Sequence, residues 1–232
     1  GHNLVVVVSA MGKTTDRLLE MAREVHPSPP DRELDMLLST GEQVAIALLS
    51  MALNALGQEA IALTGGQAGI HTSNFHTKAK IITIDPQRIL RHLDEKKVVI
   101  VAGFQGMNSD YDITTLGRGG SDTTACALAA ALSADYCEIF TDVNGVYTAD
   151  PKIVPHARKI NRISYDEMSE MANLGAKVLQ IRSVDFSQVY GVKVQVRGSF
   201  SQEEGTWVEK MRSMEDVKVR AITHNGNVIK VV

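Results

Sequence analysis

The sequence predicts an α/β protein, a three-layer αβα sandwich with a mostly parallel central sheet between helical layers. Two observations carry that expectation. Short runs rich in apolar and β-branched residues at 4–8, 97–102 and 136–141 have the unbroken character of strands buried on both faces. Stretches of helical character separate them, and strands that alternate with helices pair in parallel.

The elements follow in order. Ser9-Ala10-Met11-Gly12 is a turn after the first strand, and Thr14-Thr15-Asp16 is expected to cap a helix over 17–25, ended by Pro27, Pro29 and Pro30. A helix over about 31–38 follows. Past a break at Thr40-Gly41, a second helix runs over about 42–56 and stops at Gly57. A short strand at 59–63 leads into the loop 64–70, and 79–84 fits an edge strand. Asp85-Pro86 opens a helix to about Leu93, and Asn108-Ser109-Asp110 suggests a hairpin with Ile113-Thr114-Thr115 on its return arm. Gly117, Gly119 and Gly120 precede an alanine-rich run that forms a helix to about Leu132, with Ser121 as the N-cap candidate. After a loop at 142–162, helices are expected over about 165–171 and 174–190, then a strand over 192–197. The segments 217–222 and 228–232, joined by Asn225-Gly226-Asn227, are expected to form a separate hairpin that begins a second domain.

With 232 residues, 44% hydrophobic and 22% charged, the composition is that of an ordinary globular protein. The net charge of −3 argues against nucleic acid as the main partner, so any anion site must be a local concentration of donors. Polar and charged residues interrupt every apolar stretch, so no membrane span is expected, and no signal peptide is visible before the valine run at 5–8. Cys126 and Cys137 lie among apolar residues without metal-ligand spacing and read as buried thiols of a reducing cytoplasm. No metal site is expected from the histidines either.

The chemistry is concentrated in turns. Thr115-Leu116-Gly117-Arg118-Gly119-Gly120-Ser121-Asp122 brings close backbone approach, free N–H groups and a fixed positive charge to a helix N-terminus, which makes an anion site. Parallel sheets bind ligands beyond the carboxyl ends of their strands, where the turns 9–15, 64–72, 103–106 and 141–152 all fall. Several assignments stay open on the residues alone. Ser39 and Glu42 fit a capping box, or Glu42 faces a substrate ammonium. Thr15 is either an N-cap or a donor to a substrate carboxylate. The loop with Asp142, Tyr147 and Lys152 is either a plain surface turn or the wall of a nucleotide site, and Lys177 either a solvated lysine or a phosphate ligand. Walker, Rossmann and protein-kinase signatures are absent.

Taken together these motifs resemble the aspartokinases. The resemblance runs over about 4–210 and rests on the segments 9–16, Ser39-Thr40-Gly41-Glu42, Gly103-Phe104-Gln105-Gly106, 115–122, 141–151 and Gly175-Ala176-Lys177-Val178-Leu179. It implies an amino acid kinase fold and ATP-dependent phosphorylation of the side-chain carboxylate of L-aspartate to 4-phospho-L-aspartate. That reaction is the first step towards lysine, threonine and methionine. It implies Thr15, Glu42, Arg118 and Ser121 around aspartate, and Thr141, Asp142, Tyr147, Lys152, Lys177 and Val178 around ATP. Asp122 would orient cationic groups near the transferring phosphoryl, and Lys177 would neutralise its charge. Mg2+ is implied with ATP, bridging phosphate oxygens. Residues 1–212 would then be the catalytic domain and 213–232 the start of an ACT-type regulatory domain, through which such enzymes associate as homo-oligomers. The family's opening Lys-x-Gly-Gly strand is missing, so the chain is expected to be part of a longer enzyme. Near Lys177, Leu179-Gln180-Ile181 replaces a frequent Leu-His-Pro. The competing reading of that missing strand is a non-catalytic amino-acid-binding or regulatory module.

Overall fold

A computed structural model describes residues 2–174, 178–211 and 221–223, and the chain divides into two units, Gly1–Leu132 and Ser133–Val232. The first unit runs β1 (Val5–Val8), α1 (Thr14–Val25), α2 (Asp31–Ala55), β2 (Ala60–Leu63), β3 (Ile70–Thr72), β4 (Ile81–Ile84), α3 (Gln87–Asp94), β5 (Val98–Ala102), β6 (Gln105–Met107), β7 (Ile113–Thr115) and α4 (Gly120–Ala131). Strands β1, β5 and β2 form an all-parallel sheet with β5 in the middle. A second sheet, β4-β3-β6-β7, is antiparallel except where β3 meets β6.

Strand β5 shows why the apolar runs read as doubly buried. Val99 and Val101 point into a core with Leu63, Ile70, Ile89 and Leu128, which joins the sheet to α3 and α4. Ile100 and Ala102 point the other way, into a core with Ile46 that joins it to α2. Alternate side chains of one strand thus hold helices on both faces, the three-layer arrangement expected.

Helix α2 departs from expectation. It is one helix of 25 residues rather than two broken at Thr40-Gly41. Gly41 marks close packing instead: a Cβ there would lie 2.9 Å from the Ala10 Cβ. By length and composition alone α2 is apolar enough to cross a membrane, contrary to the reading of interrupted apolar stretches. In the fold it packs on α1, β2, β5 and β7 and buries Asp35, Ser39 and Glu42.

The second unit runs β8 (Cys137–Thr141), β9 (Arg162–Ile163), α5 (Tyr165–Asn173), α6 (Ile181–Tyr190), β10 (Val194–Gly198) and β11 (Thr206–Val208). Its sheet has the order β8-β10-β11-β9, parallel at β8/β10 and β11/β9 and antiparallel between. Ser164 and Glu167 form a complete capping box on α5. Helix α6 begins at Ile181, later than the expected 174. The expected hairpin strands at 217–222 and 228–232 fall almost wholly outside the described residues.

Candidate functional site

The parallel order of β1, β5 and β2 brings their carboxyl ends to one edge, and the turns after all three leave from it. The turn after β1 is tied to α2: the Ala10 N–H donates to Glu42 Oε1 at 3.0 Å. Glu42 is only 3% exposed, and its other oxygen, Oε2, has no hydrogen-bond partner among the described residues. Burial pushes the Glu42 carboxyl above the ordinary carboxylate range, with the Ala10 N–H pulling partly the other way. A buried carboxylate oxygen without a donor is costly, and a bound cationic group would satisfy it.

Ser39 and Glu42 therefore form no capping box, because both lie inside α2. Ser39 Oγ donates to the Met36 carbonyl instead. Thr15 is not an N-cap either: α1 begins at Thr14, after Lys13. Thr15 is half-buried in the first turn of α1, whose Thr14 and Leu18 face Gly41, the neighbour of Glu42.

The turn after β5 reaches the start of α4. A Cβ on Gly103 would sit 2.7 Å from Ser121 Oγ, and one on Gly120 would sit 2.8 Å from the Phe104 ring. Phe104 itself holds φ 67°, and its N–H donates to Thr124 Oγ1 at 3.2 Å. A phenylalanine in the left-handed region is uncommon and costs about 1–3 kcal/mol, so the packing must hold it. The N-cap of α4 is Gly119, at φ 67°, rather than Ser121, which stands in the first turn with Asp122. Glycine suits that position because a side chain would be strained there. Arg118 is exposed one residue before this cap.

Asp35 was not foreseen. It lies seven residues before Glu42 on the buried side of α2, fully enclosed. Thr115 Oγ1 donates to it at 2.5 Å, the Thr77 N–H at 3.0–3.1 Å, and His76 Nδ1 lies 2.8 Å away. The only sequence signal was a carboxylate inside an apolar helix, in phase with Glu42.

A cavity of about 300 Å3 in this unit is lined by Thr64, Gly66, Gln67, Arg88, Gln105 and Gly106 among others. None of Thr15, Glu42, Arg118 or Ser121 lines it.

In the second unit Thr141 ends β8 beside β10, and Ser199 donates to its carbonyl from both N–H (2.8 Å) and Oγ (3.0 Å). Thr141 Oγ1 donates to Asp142 Oδ1 at 3.1 Å, and Asp142 is otherwise open to solvent. Tyr147 bridges to Lys159, and the exposed Lys152 is held by its N–H to Asp150 at 2.8 Å. Gly145, at φ 133°, lies where a Cβ would sit 2.6 Å from Thr206 Oγ1, which fixes the course of the loop. Val178 is half-buried before Leu179, whereas Lys177 lies outside the described residues.

The amino acid kinase family profile matches residues 1–198. The chain is 57% identical to the aspartokinase of Geobacillus stearothermophilus over 232 residues, all of this chain and 57% of that protein. It is 54% identical to that of Bacillus sp. strain MGA3, covering 56% of it, so the chain spans about half the length of the curated relatives it matches. Among solved structures it is similar to aspartate kinase from Synechocystis, with TM-score 0.80 and 51% identity over 94% of this chain and 35% of that one. It is also similar to E. coli aspartokinase III in complex with aspartate and ADP, with TM-score 0.75 and 32% identity over 85% of this chain and 46% of that one. With its parallel sheet, its glycine-lined turns and this match over most of its length, the chain belongs to the amino acid kinase family.

Proposed function

We propose that the protein to which this chain belongs transfers the γ-phosphoryl group of ATP to the side-chain carboxylate of L-aspartate. The observation that carries the reading is the Glu42 carboxylate, buried at the carboxyl edge of parallel strands with one oxygen unpartnered among the described residues. A substrate with an ammonium group supplies that missing partner. Support comes from the relatives, named aspartokinases, and from the E. coli structure solved with aspartate and ADP.

In this reading Arg118 pairs with the α-carboxylate of aspartate, for which a planar guanidinium offers two parallel donors. Ser121 and Thr15 donate to the same molecule, and Glu42 takes its ammonium. The side-chain carboxylate is already a nucleophile and needs no general base. Catalysis then rests on alignment with the γ-phosphoryl and on neutralising charge there. Thr141, Asp142, Tyr147, Lys152 and Val178 hold the nucleotide, with Lys177 as the cation at the phosphates.

No group of three or more His, Cys, Asp or Glu side chains that could hold a metal occurs among the described residues. Magnesium carried by a nucleotide is held mainly by phosphate oxygens and water and asks for only one or two carboxylates. Asp142, open to solvent in the second unit with the nucleotide set, fits that need, and Asp122 is read as orienting cationic groups near the transferring phosphoryl. When bound, the metal would spread the negative charge of the transferring group.

The test is steady-state kinetics of the full-length protein with Arg118→Ala and Glu42→Ala. Each is expected to raise the KM for aspartate at least about 30-fold, the weight of a charged hydrogen bond of about 2 kcal/mol. Unchanged aspartate KM in both would refute the substrate assignment.

A further inference from the structure

We infer that Asp35 is a positioning residue that sets the spacing between Arg118 and Glu42, and hence the fit for an amino-acid substrate. The inference rests on the reading of those two residues as the partners of its carboxylate and ammonium.

A fully buried carboxylate is expensive unless its lone pairs are filled, and Asp35 fills them from two separate segments. Thr115 donates from the end of β7, three residues before Arg118. Thr77 and His76 approach from the segment between β3 and β4. Thr77 sits at φ 62°, a conformation that costs a β-branched residue about 1–3 kcal/mol, and both oxygens of Asp35 accept its N–H. The strained segment runs close beside the arginine-bearing loop. Gly117 has φ 76°, and a Cβ there would lie 3.1 Å from the Thr77 carbonyl oxygen. The Ala79 N–H closes the seam on the Thr115 carbonyl at 2.9 Å.

Two routes therefore lead from Asp35 to Arg118, one through Thr115 and one through Thr77 and Gly117. Glu42 follows Asp35 by seven residues, close to two turns of the same helix and on the same buried side. One helix thus carries the substrate-facing carboxylate and the anchor of the loop that presents the guanidinium. An apolar residue at position 35 would fill space equally well, but it would leave the Thr115 hydroxyl and the Thr77 N–H without an acceptor.

The experiment compares full-length wild-type protein with Asp35→Asn, Thr115→Val, Thr115→Ser and the Asp35→Asn/Thr115→Val pair. The readouts are kcat, the separate KM values for aspartate and ATP, and thermal unfolding. Asp35→Asn and Thr115→Val are expected to raise the aspartate KM about tenfold, near 1.4 kcal/mol, with the ATP KM within about twofold. Thr115→Ser keeps the hydroxyl and is expected to stay near wild type. The double variant is expected to be no worse than the poorer single one, because both act on the same bond: the amide oxygen is a weaker acceptor than a carboxylate, and valine has no hydroxyl to donate. Folded variants with an unchanged aspartate KM overturn the inference. So does a fall in kcat alone, the mark of a smaller active fraction. Should Asp35→Asn fail to fold, Thr115→Val and Thr115→Ser decide by the same criteria. Wild-type protein without aspartate-dependent turnover refutes the substrate reading itself, a result distinct from active wild type with unaltered variants.

Discussion

In the proposed reading Glu42 must do two opposed things, stay buried and stay ionised. Burial favours its protonated form, so acidification through the interval between the ordinary glutamate range and its raised value stabilises the free fold. That contribution is lost as the pH rises through the same interval. Aspartate binding runs the other way, because only the ionised form attracts an ammonium. Aspartate affinity is therefore expected to fall on acidification at a higher pH than an exposed carboxylate would give, which calorimetric titration across pH can check. Replacing the charge separates the two effects. Glu42→Gln keeps an acceptor for the Ala10 N–H and removes the charge that burial penalises. It is expected to raise the stability of the ligand-free protein by about 1 kcal/mol while weakening aspartate binding about 30- to 150-fold, roughly 2–3 kcal/mol. Thermal unfolding and titration on the same sample would read both.

Gly41 governs how closely two elements, α2 and the turn after β1, can lie together. A glycine inside a helix ordinarily costs about 1 kcal/mol relative to alanine, so Gly41→Ala should stabilise α2 in isolation. Here the added Cβ would meet the Ala10 Cβ at 2.9 Å, a short side chain that cannot swing aside. The clash wins: the variant is expected to lose about 1–3 kcal/mol by denaturant unfolding and to bind aspartate more weakly, since Ala10 and Glu42 move apart. The same residue explains why α2 runs unbroken through the expected boundary at Thr40-Gly41. A Thr-Gly pair signals a break in sequence, whereas its physical role is to let α2 lie close to the turn after β1. Glu42 and Arg118 stand out in the sequence by residue type alone, a carboxylate directly after Thr40-Gly41 and an arginine among Gly117, Gly119 and Gly120. Asp35 was not legible, since its partners Thr77 and Thr115 are 42 and 80 positions away. Strands β3, β9 and β11, of two or three residues, are too short to carry any period. The shift of the α4 cap from Ser121 to Gly119 turns on a backbone angle that residue type alone does not reveal.

For the molecule as a whole, the resemblance assigns the amino-acid set to the first unit and the nucleotide set to the second. Substitutions should sort accordingly. Lys152→Ala is expected to raise the ATP KM severalfold and leave that of aspartate within about twofold, the converse of Arg118→Ala, and kinetics with each substrate varied in turn would show it. The apolar runs at 4–8 and 97–102 made the α/β class readable, because β1 and β5 present apolar side chains to both faces. The run at 136–141 departs from that expectation: β8 buries Cys137 and Ile139 on one face and leaves Phe140 exposed on the other. The division after Leu132 was not readable, since the sequence there carries no Pro- or Gly-rich linker.

The most direct measurement follows product. Full-length protein with ATP and L-aspartate is expected to form ADP and acyl phosphate in equal amounts, the latter trapped with hydroxylamine, and to form none when aspartate is omitted or replaced by glutamate or UMP. ADP release that ignores aspartate, or acyl phosphate formed on another acceptor in its place, would contradict the proposed reaction.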